Sequence, residues 1–336
     1  MTHIGSLDAG PRGTIADVAG VTVGHCTLAQ GAVQTGVTVI RPHDGDMYRN
    51  KTPAASCVIN GFGKSVGLVQ VDELGVIETP VALTNTFSVG TVANAQIRAA
   101  IAANLRVGRE DPSVNPLVFE CNDGYLNDMQ ALAIHEAHYA SALDACSADF
   151  ERGAVGAGRG MSCFELKGGI GSASRVVHIG GNASTTGVLV LANFGKLQQL
   201  IVAGDALGRT LQTSVDEKPE QGSIIMLIAT DAPLDARQLR RLAMRAAAGL
   251  ARTGSVYGHG SGDIALAFST AYTLPHDADF ITMPPLIADA RLDPLFQAAA
   301  DSVEQAILDA LFSAETVAGR DGHRRVSLKD ALRTTP

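Results

Sequence analysis

The chain has 336 residues, 46% of them hydrophobic and 18% charged, with a formal net charge of −8. This is a globular composition with apolar material for a sizeable core, which excludes a disordered chain. The acidic balance argues against a nucleic-acid partner, which needs clustered Lys and Arg, and no apolar run approaches the length of a membrane span.

Aromatic residues are 4% and Trp is absent, so stacking on sugars or bases has little to work with. Five cysteines, Cys26, Cys57, Cys121, Cys146 and Cys163, are scattered without a C-x-x-C pair. That pattern suits reduced thiols and predicts a cytoplasmic protein without disulfides. The first residues, Met1-Thr2-His3-Ile4-Gly5-Ser6, lack a basic stretch followed by an apolar one, so no signal peptide is expected.

In chain order, the pattern predicts strands over 20–24, 36–41, 56–60 and 66–71, then a helix over 90–106 with Val92, Ile97, Ile101 and Leu105 near helical spacing. A strand over 116–120 and a helix over 126–147 follow. Strands are predicted over 175–179, 186–193, 198–203 and 223–230, a helix over 235–252, and a strand over 263–269. The last helix, 293–316, starts at Asp293-Pro294. Many strands are apolar almost throughout, which predicts sheets buried on both faces. No internal repeat or low-complexity segment breaks the chain, so one mixed α/β domain over 1–336 is expected.

Several motifs are incomplete. His135-Glu136-Ala137-His138 puts two histidines three apart without a visible third ligand, so no metal site is expected. Gly63-Lys64-Ser65 has the end of a P-loop, but Val58 stands where that motif needs glycine. The Gly-rich stretch 153–171 lacks G-x-G-x-x-G, so no dinucleotide site is expected, and the serine chemistry considered below needs no metal or organic cofactor. Ser261 has glycine directly on each side and not the G-x-S-x-G elbow. His259 lies two residues from Ser261, a spacing that does not normally give a side-chain hydrogen bond in a strand. Arg237, Arg240, Arg241 and Arg245 read as a solvated or subunit-facing helix side.

The most informative place is Gly222-Ser223. Ser223 opens the apolar run 223–230, directly after the polar stretch Asp216-Glu217-Lys218-Pro219-Glu220-Gln221. Taken alone, 222–228 reads as a serine opening an ordinary buried strand. If the Gly222–Ser223 bond is cut, Ser223 presents a hydroxyl and its own α-amine. An amine with a reference pKa of about 7.7–8.0 is a usable base near neutrality, so one residue would be both nucleophile and base.

The rest of the chain decides between these readings. Near the start are Ile15-Ala16-Asp17-Val18-Ala19-Gly20-Val21-Thr22-Val23-Gly24-His25, Asn60-Gly61-Phe62-Gly63 and Glu78-Thr79-Pro80-Val81-Ala82-Leu83-Thr84-Asn85-Thr86. Further on are Glu120-Cys121-Asn122-Asp123-Gly124-Tyr125, Cys163-Phe164-Glu165-Leu166-Lys167-Gly168-Gly169-Ile170-Gly171 and Ala192-Asn193-Phe194-Gly195. After Ser223 come His259-Gly260-Ser261-Gly262-Asp263 and Gly319-Arg320-Asp321-Gly322. In this order they resemble the self-processing N-terminal-serine aminopeptidases, which include the L-aminopeptidase/D-amidase/D-esterases and the β-peptidyl aminopeptidases.

The resemblance implies a four-layer α/β/β/α sandwich like that of the N-terminal-nucleophile hydrolases, self-cleaved into 1–222 and 223–336. It implies Ser223 as nucleophile, with Gly222 before the cut. Ser261 and Asp263 are expected to orient the nucleophile or its amine, although Asp stands where some members have Glu. Asn193 and Tyr125 are expected to stabilise the oxyanion. Glu120 and Asp123 are candidates for the substrate amine, and capping or turn formation is the other reading of both. The expected substrate is a small peptide, amino acid amide or ester. A homo-oligomer of two-chain protomers, a tetramer by resemblance, is expected. The rival readings are an acyltransferase of the ornithine-acetyltransferase type, a nylon-oligomer hydrolase, and an uncleaved non-enzymatic scaffold. The first two favour Thr at the nucleophile position, and this chain has Ser.

Overall fold

The computed structural model describes residues 2–211 and 222–334, so the predicted turn at Asp216–Gln221 lies outside the described residues. Among the described residues nine strands build the two main sheets: β1 (Thr22–Gln30), β2 (Val33–Arg41), β3 (Asn50–Gly61), β4 (Val81–Asn85), β5 (Leu117–Cys121), β6 (Gly169–Ile179), β7 (Asn182–Asn193), β8 (Ser223–Thr230) and β9 (Gly262–Ser269). The smaller sheet has the order β1-β2-β4-β5 and the larger one β3-β9-β8-β7-β6, with two-residue strands added along β3. Neighbours are antiparallel except β4–β5 and β8–β9, which are parallel.

Alternation along the strands builds the layers. Leu189, Leu191, Ile225, Leu227, Ile264 and Leu266 leave the larger sheet on one face and meet Val23, Ile40, Leu83 and Phe119 of the smaller sheet. The opposite parity, including Val188, Val190, Ile224, Met226 and Ala265, packs on helices α4 to α6. The outer face of the smaller sheet, with Val37, Val39, Ala82 and Val118, packs on α2 and α3 through Val92 and Tyr139. The helices are α1 (Leu68–Leu74), α2 (Val89–Ala103), α3 (Glu136–Asp144), α4 (Ala236–Ala243), α5 (Ala246–Arg252), α6 (Asp293–Ser313) and α7 (Leu328–Thr334). The expected α/β/β/α sandwich is therefore present. Each large apolar side chain removed from water contributes roughly 1.5–3 kcal/mol, and strands apolar on both faces contribute to two cores.

Close packing explains one glycine in detail. A Cβ on Gly171 of β6 would stand 1.9 Å from the Ala306 carbonyl of α6, so only glycine lets the helix backbone lie this close to the strand.

Four expected elements differ. Residues 66–71 enter α1 and not a strand. Gly67 at φ +101° and Gly75 at φ +67° bound a helix that buries Val71 and leaves Val69 86% exposed. Residues 198–203 form a short 3-10 turn and a bridge from Val202 to Asp205 in place of a strand. The helix expected over 126–147 shrinks to α3. Asp128 accepts from the Gln130 N–H, Asn127 accepts from the Gln34 N–H, and Leu132 adopts φ +46°, so the side chains hold a loop. The helix expected over 235–252 breaks at Met244-Arg245 into α4 and α5. The pattern also missed β4, the short buried strand between β2 and β5.

Candidate active site

β7 runs antiparallel to β8, and β8 parallel to β9, so the C-terminal end of β7 and the N-terminal ends of β8 and β9 share one edge of the larger sheet. Register puts Asn193 opposite Ser223, and Ser223 opposite Gly262. A cleft of about 1330 Å³ opens at this edge and takes in Gly222, Ser223, Asn193, Tyr125, Glu120, Lys64, Ser162, Arg325 and His259. A smaller cavity of about 550 Å³ beside α2 and α3, lined by Tyr139, Gln96 and Cys146, holds none of the predicted site residues.

Ser223 is 5% exposed, and its Oγ accepts from the Gly262 N–H at 3.1 Å. The same N–H reaches the Gly222 carbonyl at 3.3 Å, so one donor is shared by the hydroxyl and the carbonyl just before it. A Cβ on Gly222 would lie 2.3 Å from the Asn193 carbonyl and 2.7 Å from Phe194 Cα, so only glycine fits there.

Ser261 and Asp263 flank Gly262, and both are buried. The Ser261 hydroxyl donates to Asp263 Oδ1 at 2.5 Å. Ser223 shares the inter-sheet face with Ile225, whereas Asp263 shares the helix-side face with Ala265. The acid therefore lies behind the cleft wall and not in the cleft. The Asn60 amide donates to the carbonyls of Gly258 (3.0 Å) and Ser261 and so shapes the loop that carries this pair.

Asn193 ends β7. Its Oδ1 accepts from the Ser162 N–H at 2.8 Å, which fixes the amide flip, and its Nδ2 donates to the Asn122 carbonyl at 3.0 Å. Among the described residues Nδ2 has no second acceptor, and Asn193 lines the cleft. The loop carrying Ser162 is pinned from below by buried Lys167, whose ammonium donates to the carbonyls of Gly158, Met161 and Gly168 at 2.7–2.9 Å. Burial pulls that ammonium down to about 7.

Tyr125 is 39% exposed, in the loop after β5. Its ring stacks on His323 at 4.7 Å between centroids, and the Arg325 guanidinium lies 3.7 Å from the ring centroid. Glu120 is buried at the cleft wall. Its Oε1 accepts from the Lys64 N–H at 2.9 Å, and its Oε2 accepts from the Thr86 hydroxyl. Asp123 is 1% exposed and lies beneath the cleft wall, beside Asn127, whose amide donates to it at 3.0 Å. Burial pushes its carboxyl up to about 7.

The structure thus brings Ser223, Gly222, Asn193, Tyr125 and Glu120 to the cleft. It sets Ser261 and Asp263 behind it and Asp123 below it. His259 lines the cleft near Phe62, and no hydrogen bond joins its ring to Ser261 among the described residues. His138 accepts from the His135 N–H at the start of α3, a capping arrangement. Among the described residues no group of three or more His, Cys, Asp or Glu is arranged to hold a metal. No described helix is long and apolar enough to cross a membrane. Sequence reasoning missed Ser162 and Arg325. Neither stands in a recognisable motif, and both acquire meaning only through folding.

Ser223 opens a central strand of an α/β/β/α core, and Asn193 and Tyr125 line the same cleft, an arrangement that fits a hydrolase of the N-terminal-nucleophile type. The chain belongs to peptidase family S58, which matches residues 13–325. It is 37% identical to the β-peptidyl aminopeptidase BapA of Sphingosinicella microcystinivorans, over 94% of this chain and 85% of that protein. Among solved structures, a protein of Pyrococcus horikoshii OT3 is 48% identical with a TM-score of 0.93, covering 98% of this chain and 96% of that one. The L-aminopeptidase D-Ala-esterase/amidase of Ochrobactrum anthropi is 34% identical with a TM-score of 0.92, covering 98% and 95%. That structure is described as a prototype for the serine aminopeptidases and a variant of the Ntn hydrolase fold. The chain is accordingly a serine aminopeptidase/amidase-class hydrolase.

Proposed function

We propose that this protein cuts its own Gly222–Ser223 bond and then uses Ser223 to release N-terminal residues from short peptides, amino acid amides or esters. The observation that carries the reading is the Gly262 N–H shared by Ser223 Oγ and the Gly222 carbonyl. It holds the attacking oxygen beside a carbonyl that is already polarised.

In the first reaction Ser223 Oγ bonds to the Gly222 carbonyl carbon. The C–N bond breaks, the hydroxyl proton passes to the Ser223 nitrogen, and an ester forms. Water then hydrolyses the ester to the Gly222 carboxylate and a free Ser223. In the second reaction the new α-amine takes the Oγ proton as Oγ attacks the substrate carbonyl, and the amine delivers it to the leaving group. The acyl-enzyme is hydrolysed in turn.

The Ser223 nitrogen lies in the plane of the sheet, while the side chains of Ser223 and Asp263 leave it on opposite faces. The Ser261–Asp263 pair is therefore suited to the amine rather than to the hydroxyl. A carboxylate there raises the amine's pKa and orients it. Asn193 Nδ2 and the Tyr125 hydroxyl serve as oxyanion donors. Glu120, fixed by Lys64 and Thr86, takes the substrate ammonium, and buried Asp123 shapes the loop carrying Tyr125.

The named relatives, which include a β-peptidyl aminopeptidase and an L-aminopeptidase, support short amine-bearing substrates. Homo-oligomerisation is supported by the apolar surface of Phe280 (94% exposed), Ile281, Met283 and Leu286, and a tetramer is what the family resemblance implies. A cytoplasmic location is supported by five cysteines that are all free thiols. The mass and N-terminal sequence of the purified protein test the reading, together with capture of an acyl group on Ser223.

A further inference from the structure

One guanidinium touches both sides of the oxyanion arrangement. Arg325 Nε donates to the Ser162 hydroxyl at 3.1 Å, and Ser162 is the residue whose N–H fixes the Asn193 amide. The Arg325 guanidinium carbon also lies 3.7 Å from the Tyr125 ring centroid, and another of its nitrogens donates to the Glu165 carbonyl at 3.1 Å. The surrounding segment closes on the same loop. Arg320 Nε donates to the Gly124 carbonyl, the Arg320 N–H to the Leu126 carbonyl, and His323 Nδ1 meets the Tyr125 carbonyl at 2.8 Å.

We infer that Arg325 is a positioning residue that holds Tyr125 and, through Ser162, Asn193 in register for the developing oxyanion. The inference rests on the reading of these two residues as donors. A planar cation over a phenol ring fixes the ring face-on and withdraws electron density from it, which makes the hydroxyl a stronger donor. The rigid fork of Arg reaches the Ser162 hydroxyl and the Glu165 carbonyl from the same plane, whereas an ammonium is a point charge without that geometry. Arg325 belongs to segment 223–336, while Tyr125, Ser162 and Asn193 belong to 1–222. The segment that opens with the proposed nucleophile would thus also brace the donors it works with.

The test is steady-state kinetics on a chromogenic amino acid anilide with cleaved, folded Arg325→Gln, Arg325→Lys and Tyr125→Phe enzymes and the double variants. Arg325→Gln should lower kcat about 10- to 100-fold, part of the 10²–10³ expected for losing a whole donor, with KM within about 3-fold. Arg325→Lys should fall between it and wild type. In the Tyr125→Phe background the Arg325→Gln loss should shrink to less than half on a logarithmic scale, because the hydroxyl it acts through is gone. A merely structural arginine would give additive losses accompanied by a lower melting temperature. Additive losses, or an effect confined to KM, overturn the inference. Should Arg325→Gln fail to fold, Arg325→Lys carries the same comparison. If Ser223→Ala is uncleaved and inactive while the Arg325 variants match wild type, the brace fails and the nucleophile stands. An active Ser223→Ala removes the underlying reading.

Discussion

Asn193 and Ser223 stand directly opposite each other across the β7–β8 pair, at the last residue of one strand and the first of the next. Side chains paired in this way leave the sheet on the same face. Backbone register therefore sets the residue bearing the donor amide beside the candidate nucleophile. The peptide bond that opens β8 lies beside them, so self-cleavage and substrate turnover are expected to share one set of groups.

Purified protein is expected as two chains of 222 and 114 residues (336 − 222), the shorter beginning Ser223-Ile224-Ile225. Ser223→Ala should run as one chain and be inactive. Gly222→Ala should leave precursor behind, because its Cβ meets backbone atoms at 2.3 and 2.7 Å. Intact mass spectrometry reads all three, and a fully active, uncleaved wild type would refute the self-processing mechanism.

Ser261→Ala and Asp263→Asn should lower turnover by about 10²–10⁴-fold, the range expected for lost acid–base assistance. The pH profile separates an amine partner from a hydroxyl partner. A carboxylate beside the amine favours its charged form, so removing Asp263 lowers the amine's pKa. The free amine is the base, so the acid limb of kcat/KM should move to lower pH in cleaved Asp263→Asn. An unmoved limb would sever Asp263 from the amine.

Cleaved Asn193→Ala and Tyr125→Phe enzymes should lose about 10²–10³ in kcat, with KM within a few-fold, because each removes one oxyanion donor. Tyr125→Phe keeps the ring against His323 and Arg325 and so isolates the hydroxyl. Near-wild-type kcat in both would leave the oxyanion without these donors.

Asp123→Asn should stabilise the protein at pH 8 and change little near pH 4. Burial raises the Asp123 carboxyl to about 7 in the folded chain, against about 3.9 when unfolded. The penalty for ionising it is absent below pH 4, grows between pH 4 and 7, and is complete above 7. Three pH units bound the gain at roughly 4 kcal/mol. Thermal melts at the two pH values check this, and equal melting shifts at both would refute the buried-charge account.

Apolar runs marked β2, β5, β7, β8 and β9 in the sequence, because a strand buried on both faces must be apolar throughout. The end of one run at Asn193 and the start of another at Ser223 were legible for the same reason. Residues 66–71 misled, because Val69 is exposed and the flanking glycines carry the left-handed turns that bound α1. The helix predicted after Tyr125 is mostly a loop, since Asn127 and Asp128 side chains take up backbone donors that a helix would have used.

What the sequence determined by itself is local: which runs are apolar, where a glycine precedes a serine, and which polar types stand at strand ends. Those follow from the period of side chains along the backbone and from the chemistry of single residues. Tertiary structure decided what meets what. It put Asp263 on the face of the sheet opposite Ser223, sank Asp123 beneath the cleft wall while Glu120 stayed in it, and brought Arg325 from the far end of the chain onto Tyr125 and Ser162. Sheet register and layer packing fix such contacts, with Arg325 standing 163 positions from Ser162 and 200 (325 − 125) from Tyr125, and no periodicity in the sequence encodes them.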